Sequence, residues 1–332
     1  MTTTIKLITH DRVCHADETF ASAILRIAFG QVTVLRTRDP EILQREAGAP
    51  DTFLLDVGGR YDPELRLFDH HQPDGAGFRP QPPGKEGGGG HRDGHHQQVM
   101  EWPYATAGLV WKFYGAQAVR KLHPMLDAEG VEEVVQYIDD TVLKYVDAVD
   151  CGVRLKSSGP SLSAIIASFN TTWFDREEDV FPLVMDLAQV LLTNFVKRYA
   201  GKVMARSKVR GSQSRLDGRV LVLEACIPWV TIVAEEMPEV LFVVYPVGNA
   251  DQGTGQWQLR QAVQPDMTPR IKLPQSWGGL ERHALARVCG EREAVFCHRS
   301  RHLAGALSLE GALNMADAAI REHNQCAELK AA

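Results

Sequence analysis

Residues 5–72 alternate short β-rich runs with helical ones, and this alternation restricts the fold more than any other feature of the chain. IKLIT (5–9), VTVLR (32–36), TFLLDV (52–57) and LRLF (65–68) read as strands, the last following a turn signal, GGRYDP. Between them lie a helical stretch from Asp17 to Gly30, with Phe20, Ile24, Ile27 and Ala28 at helical spacing, and a short helix at 41–48. Strands joined through helices need right-handed crossovers, so an α/β fold with a mostly parallel sheet flanked by helices is predicted.

Three of these strands end on residues that resist burial. IKLIT runs into His10, with His15 and Asp17 just beyond; FLLD ends on Asp56, before Gly58 and Gly59; LRLF ends on Asp69, His70 and His71. In an open α/β sheet the carboxyl ends of the strands line the crevice where ligands bind, at the point where strand order switches. Residues distant in sequence are therefore predicted to converge, with the N-terminus of the first helix adding a positive dipole end suited to phosphate. Each piece has a plainer reading. His10 reads as a strand-end histidine, Asp17 with Glu18 as complements to a helix N-terminus, and Asp56 as a turn residue. Their coincidence at three strand ends favours a metal site. Mixed imidazole and carboxylate donors suit Mn²⁺, Fe²⁺ or Zn²⁺, and there are more of them than one catalytic zinc takes from protein. Two ions bridged by a carboxylate and a water would use the set, for hydrolysis of a phosphate ester by a metal-activated water.

Beyond this segment the pattern changes. Residues 74–101 are rich in Gly, Pro and polar residues and read as a mobile surface loop, in which His91, His95 and His96 would bind metal only adventitiously. Helical patterns occupy 105–149 and about 180–208, strand signals return in VLVLEACI, VLFVVYP and QWQLRQAV, and a helix closes the chain from about Ser308. At 332 residues two domains are expected: a metal-binding catalytic domain at 1–157, a helical connector at 158–212 and a smaller substrate-binding α/β domain at 213–332. A net charge of −6 argues against non-specific coating of nucleic acid, six scattered cysteines without a C-x-x-C pair suit a reducing compartment, and no apolar run approaches the roughly 18 residues of a membrane span. A cytoplasmic protein without membrane association is the expectation. Cys14 reads as a small apolar packer.

The motifs THDRVCHADETFAS, RTRDPEIL, LLDVGGRYDPELRLFDHHQ, PYATAGLVWKFYG and YVDAVDCG resemble, in order and spacing, the metal-dependent protein hydrolase family of melanocyte proliferating gene 1, whose eukaryotic members are described as 3′–5′ RNA exonucleases. That family is related to the DHH phosphoesterase superfamily, and the resemblance covers most of the chain. It implies a DHH phosphoesterase-like fold, two divalent cations, Mn²⁺ foremost with Mg²⁺ as an alternative, and a single-stranded RNA or oligonucleotide substrate, with homodimerisation left open. Its first motif aligns His10 and Asp17 with ligands, and His15 where relatives of the superfamily carry an aspartate, a change that bears on metal preference. Asp56 matches the bridging aspartate, His70 a ligand, and His71 the phosphate-binding partner, with Asp69 orienting an imidazole. The fourth motif offers Asp147 or Asp150, with Asp150 favoured because DCG resembles the D-x-G of relatives. Near the end of the chain, AVFCHRSRHLAGAL offers His298, Arg301 and Gly305 as substrate-facing residues, although His298 reads equally well as a core histidine.

A phosphodiester substrate calls for electrostatic guidance. Arg198, Lys202, Arg206 and Arg210 are spaced by four, and residues 197–219 hold eight basic residues and one acid. This is either a solvated helix face or a groove that tracks a nucleic-acid backbone, with Lys202 and Arg206 as contacts. The expected function is thus a metal-dependent phosphodiesterase, a 3′–5′ exonuclease on RNA or short oligonucleotides. The alternatives are a small-molecule phosphohydrolase acting on pyrophosphate or nucleotides, and a non-catalytic metal-binding regulatory protein.

Overall fold

The computed structural model describes residues 4–80, 101–156, 158–175, 178–248 and 255–331. By internal contacts the chain divides into Met1–Ala200 and Gly201–Ala332, so residues 158–200 group with the first unit. The histidines His91, His95 and His96 of the Gly-rich stretch lie outside the described residues.

The first unit is built on five strands, β1 (Ile5–Thr9), β2 (Val32–Arg36), β3 (Thr52–Leu55), β4 (Tyr61–Asp62) and β5 (Leu67–Phe68), in the order β2-β1-β3-β5-β4. All neighbours are parallel except β4, which runs antiparallel to β5 at the edge. The strand expected at 65–68 is only two residues long, because Arg66 takes a left-handed conformation (φ 59°) that breaks extended pairing. The expected turn GGRYDP instead contributes β4, an edge strand too short to show a two-residue periodicity. Helix α1 (Ala16–Phe29) returns the chain from β1 to β2, and α2 (Pro40–Glu46) from β2 to β3, on the opposite side of β1. The order thus reverses between β1 and β3, and the carboxyl ends of β1, β3 and β5 share one rim.

Period-two alternation sorts the side chains. Phe53 and Phe68 turn to one face, where they meet Tyr114 and Phe113 of α3 (Thr106–Leu122) at ring distances of 5.4 and 5.8 Å. Leu54 and Leu67 turn to the other and cluster with Ile8 and with Leu43 of α2. Each such fully buried side chain stabilises the fold by ~1.5–3 kcal/mol. Helix α1 is buried on nearly every side, from Ala16 through Ala28, as befits a helix at the centre of a domain. It stops at Gly30, whose φ of 95° suits glycine alone and whose N–H reaches Arg26 O.

The helical stretch 105–149 resolves into α3, α4 (Ala128–Ile138), one π turn (Asp139–Leu143) and α5 (Lys144–Asp150). Arg79 holds the π turn at both sides, bidentate to Asp139 at 2.8 Å and donating to Asp147 at 2.8 Å. The short α6 (Leu162–Ala167) and the start of α7 (Phe181–Arg210) complete this unit.

In the second unit the strands β6 (Gln213–Arg215), β7 (Val220–Val222), β8 (Phe242–Val247), β9 (Gln256–Gln261), β10 (Ala294–Cys297) and β11 (Leu303–Ala306) form a sheet in the order β10-β11-β9-β8-β7-β6, antiparallel but for β7 and β8. One face packs on Ala312, Met315, Ala316 and Ala319 of α10 (Leu309–Ala331), the other on α8 (Val230–Glu236) and on Ala205 and Val209 of α7. Helix α9 (Arg282–Cys289) precedes β10. Residues Gln213–Arg215, at the start of the second domain expected from sequence, form β6 and belong to this sheet. Among the described residues no helix is long and apolar enough to cross a membrane.

Candidate metal centre

Local backbone chemistry sets the rim. At the end of β3, Asp56 sits at φ 57°, a left-handed conformation uncommon for a residue with a Cβ, and Gly58 and Gly59 continue the tight turn at positive φ. Asp69 pins that turn from β5: one carboxylate oxygen accepts from Gly59 N at 2.6 Å, the other from His71 N at 3.1 Å and from His71 Nδ1 at 2.8 Å. At the end of β1, Asn170 clamps the following loop through both backbone groups of Cys14, accepting from its N–H at 2.7 Å and donating to its carbonyl at 2.9 Å. Cys14 itself is a buried packer, and burial pushes its thiol up to about 11.

His10, His15, Asp17, Asp56, His70 and Asp150 converge on this rim, together with Glu18. Asp56 stands at the centre. Its Oδ2 lies 3.3 Å from His10 Nε2 and its Oδ1 3.3 Å from His70 Nε2, so its two oxygens face two different imidazoles. His10 Nε2 is also 3.5 Å from Glu18, and His70 Nε2 is 3.0 Å from Asp150 and 3.8 Å from Asp17. Two groups result, His10–His15–Glu18–Asp56 and Asp17–His70–Asp150, each with one donor atom per residue and all within 4.8 Å of one another. His71 joins Asp56 and His70 in a third such group. Of these residues, His10, His15, Asp56, His71 and Asp150 line a cavity of about 820 Å³, with Arg38, Ser161, Ser163 and the α6 residues Ala164 and Ala167 on its walls.

The donors fit divalent cations. His10 Nε2, Glu18 Oε2, Asp56 Oδ1 and His70 Nε2 are buried atoms without a directed hydrogen-bond partner, which a folded protein rarely tolerates. Electrostatics point the same way. Burial would lower His10, but the Asp56 and Glu18 carboxylates lift it to about 10. His70 is likewise raised, against burial, by Asp150 and Asp56. Burial, with Asp150 and Asp56 beside it, holds the Asp17 carboxyl well above the usual range. Buried carboxylates crowd together here, and protons on the histidines partly balance them. A cation would replace those protons.

Asp17 and Asp147 also hold the start of α3. Asp17 accepts from Thr106 N at 2.9 Å and Ala107 N at 2.6 Å, and Asp147 accepts from Gly108 N at 3.0 Å. Three unsatisfied N–H groups at the start of α3 are therefore capped by acids from α1 and α5. A Cβ on Gly108 would lie 2.0 Å from Asp147 Oδ2, so that position requires glycine. Asp147 is fully buried between Arg79 and α3 and stands outside the three donor groups, whereas Asp150, one turn on, is inside.

The remaining sequence candidates fall in the second unit. His298 is exposed rather than a core histidine; its Nδ1 is 2.7 Å from Ser300 Oγ, which lies 2.6 Å from His302 Nδ1. Arg301 sits at φ 63° and donates to Leu273 O at 3.3 Å. Gly305 is a packing glycine, since a Cβ there would come within 2.5 Å of the Phe296 ring. On α7, Arg210 binds Glu236 at 2.6 and 3.0 Å and Arg206 lies 3.8 Å from it, so the basic stripe is partly neutralised by an acid on α8. Lys202 is exposed.

Residues 6–320 match the profile of the MYG1 exonuclease family, described as an uncharacterised protein family, UPF0160. The chain belongs to this family. It is 29% identical to the MYG1 exonuclease of Mus musculus, over 95% of this chain and 84% of that one. A MYG1 protein of Schizosaccharomyces pombe is 26% identical over 96% of this chain and 98% of its own length. The MYG1 exonuclease of Homo sapiens is 28% identical, over 95% and 86%.

Proposed function

We propose that the chain is a metal-dependent phosphodiesterase of the DHH type, acting as a 3′–5′ exonuclease on RNA or short oligonucleotides. The observation that carries this reading is Asp56, whose two carboxylate oxygens face His10 and His70, each the anchor of a separate donor group. That is the arrangement a bridging carboxylate between two ions requires, and relatives named exonucleases supply the substrate class. His10 and Asp56 would hold one ion; Asp17, His70, Asp150 and the other oxygen of Asp56 would hold the second. Bound there, a pair of Mn²⁺ ions supplies a water made nucleophilic at neutral pH and neutralises charge on the reacting phosphate.

The rest falls to side chains. Asp69 accepts from His71 Nδ1, which leaves Nε2 of the half-exposed ring open to the cavity. Asp56 and Asp69 raise His71 to about 9, against burial, which favours the protonated ring. It can hold a phosphate oxygen and then give its Nε2 proton to the departing alkoxide. Arg38, anchored on Asp11 at 2.6 Å and lining the same cavity, adds a positive wall for the scissile phosphate. His298, Arg301 and Lys202 remain proposed contacts to the remoter substrate.

Small-molecule phosphohydrolysis is the second reading, favoured by the pairing of Arg206 and Arg210 with Glu236, which removes positive charge a long polyanion would use. Incubation with Mn²⁺ and 5′-labelled RNA, DNA and pyrophosphate side by side tests both. Stepwise shortening of labelled RNA from its 3′ end is expected; turnover of pyrophosphate alone selects the second reading, and turnover of none leaves a metal-binding regulatory protein.

A further inference from the structure

We propose that Glu18 is a direct ligand of one of the two cations, so that the two ion positions differ in kind. The inference rests on the two-ion reading above. The first position, His10–His15–Glu18–Asp56, then presents two imidazole nitrogens and two carboxylates. The second, Asp17–His70–Asp150 with the other oxygen of Asp56, presents one imidazole and three carboxylates. The first selects a transition-metal ion such as Mn²⁺, Fe²⁺, Co²⁺ or Zn²⁺; the second also accepts Mg²⁺, which prefers oxygen donors.

Glu18 has an ordinary structural use, and that use leaves half of it unexplained. It lies in the first turn of α1, and its Oε1 accepts from His15 N at 2.8 Å, the helix-capping contact expected of a glutamate three residues past the cap. Capping needs one oxygen and no burial. Yet Glu18 is 0% exposed, and its Oε2 is a buried atom with no hydrogen-bond partner. No basic side chain other than His10 is paired with it, at 3.5 Å among the described residues, and His10 is shared with Asp56. A buried carboxylate with an idle oxygen is stable only with a proton on it or a cation beside it, and the imidazoles of His10 and His15 close by suit a cation. The cluster that contains it already holds two imidazoles and the proposed bridging aspartate, all within 4.8 Å. His15 follows from the same geometry. Its ring stands 5.1 Å from that of His10, and its own N–H is what Glu18 caps, so one side chain fixes the backbone of one ligand while sharing its ion.

The test is metal stoichiometry. The full-length protein, stripped with a chelator, is titrated with Mn²⁺ alone and with Mg²⁺ alone by calorimetry, beside Glu18→Gln, whose amide oxygen can still cap α1. Wild type is expected to bind two Mn²⁺ but one Mg²⁺, and Glu18→Gln one Mn²⁺. The site lost in the variant should weaken by more than ~100-fold, beyond the 10–100-fold typical of residues that only support a ligand. Two Mn²⁺ in the variant at affinities within ~100-fold of wild type would make Glu18 a cap and overturn the proposal. So would two equally bound Mg²⁺ in wild type, a readout that survives even if the variant fails to fold. Failure of wild type to take up two Mn²⁺ would instead defeat the two-ion reading itself.

Discussion

Asp56 occupies a backbone conformation that asparagine tolerates as readily as aspartate, so charge can be removed there without disturbing the turn. Asp56→Asn is expected to fold normally and to lose hydrolysis by at least ~1000-fold, since both proposed ions share this carboxylate; near-normal turnover with a native circular dichroism spectrum would refute the assignment. The rim also sets a pH dependence. His10 is raised from 6.5 to about 10 and His71 to about 9, so in the metal-free protein their pairing with acids stabilises the fold fully below pH 6.5 and is lost as pH rises through 9–10. Asp17 and Glu18, raised by burial, act in the same direction, because each costs stability once ionised. The melting temperature of the metal-free protein should therefore fall between about pH 6.5 and 10, and Mn²⁺ affinity should rise about tenfold per pH unit for each proton displaced. Fluorimetric melts with and without Mn²⁺ across that range measure both.

At the scale of elements, α3 is held by acids that the sequence offered as ligands. Asp147 and Asp150 stood as alternatives for one role, and three residues along α5 put them in different environments. The contrast is measurable. Asp147→Asn leaves Arg79 with Asp139 as its one remaining carboxylate inside a buried network and should cost about 3 kcal/mol of stability in denaturant unfolding. Asp150→Asn, at a carboxylate that faces His70, should cost little stability but abolish one ion's binding. The opposite ranking would mean that the fourth-motif ligand is Asp147. The basic stripe on α7 belongs to this scale too. Spacing by four does put Arg206 and Arg210 on one side of a helix, but what faces that side is Glu236, from an element whose position no local pattern contains. If the stripe still contacts substrate, Arg206→Glu weakens oligonucleotide binding more than binding of an aryl mononucleotide ester in a filter or polarisation assay; equal effects remove α7 from the substrate path.

For the molecule as a whole, ion binding concentrates stabilisation in one place. All proposed ligands lie in Met1–Ala200, none in Gly201–Ala332. Saturation at 100 times the dissociation constant adds about 2.7 kcal/mol per site if the unfolded chain binds none. Hydrogen exchange on adding Mn²⁺ should therefore slow in β1, β3, α1 and the start of α3, and remain as it was in the second sheet. Slowing spread evenly over both units would contradict a site confined to the first.

Much of the first unit could be read without coordinates, because its signals are local. β1, α1, β2 and α2 are each encoded by a few consecutive residues, their alternation leaves a parallel sheet as the compact solution, and a parallel sheet sends the ends of β1, β3 and β5 to one rim. His10, Asp56 and His70 were visible for that reason. Glu18 was not: beside Asp17 in a first helical turn it looks like a surface complement to the helix dipole, and nothing in its neighbours says that the turn is buried. The fate of Asp147 on α3, the pairing of β4 and β6 into their sheets, the packing role of Gly305 and the meeting of Arg206 with Glu236 are equally invisible, since each depends on a partner in another element. Local pattern determines which elements form and which residues end them; only tertiary packing decides which acids are desolvated and what they face, because burial is a property of the neighbours rather than of the residue.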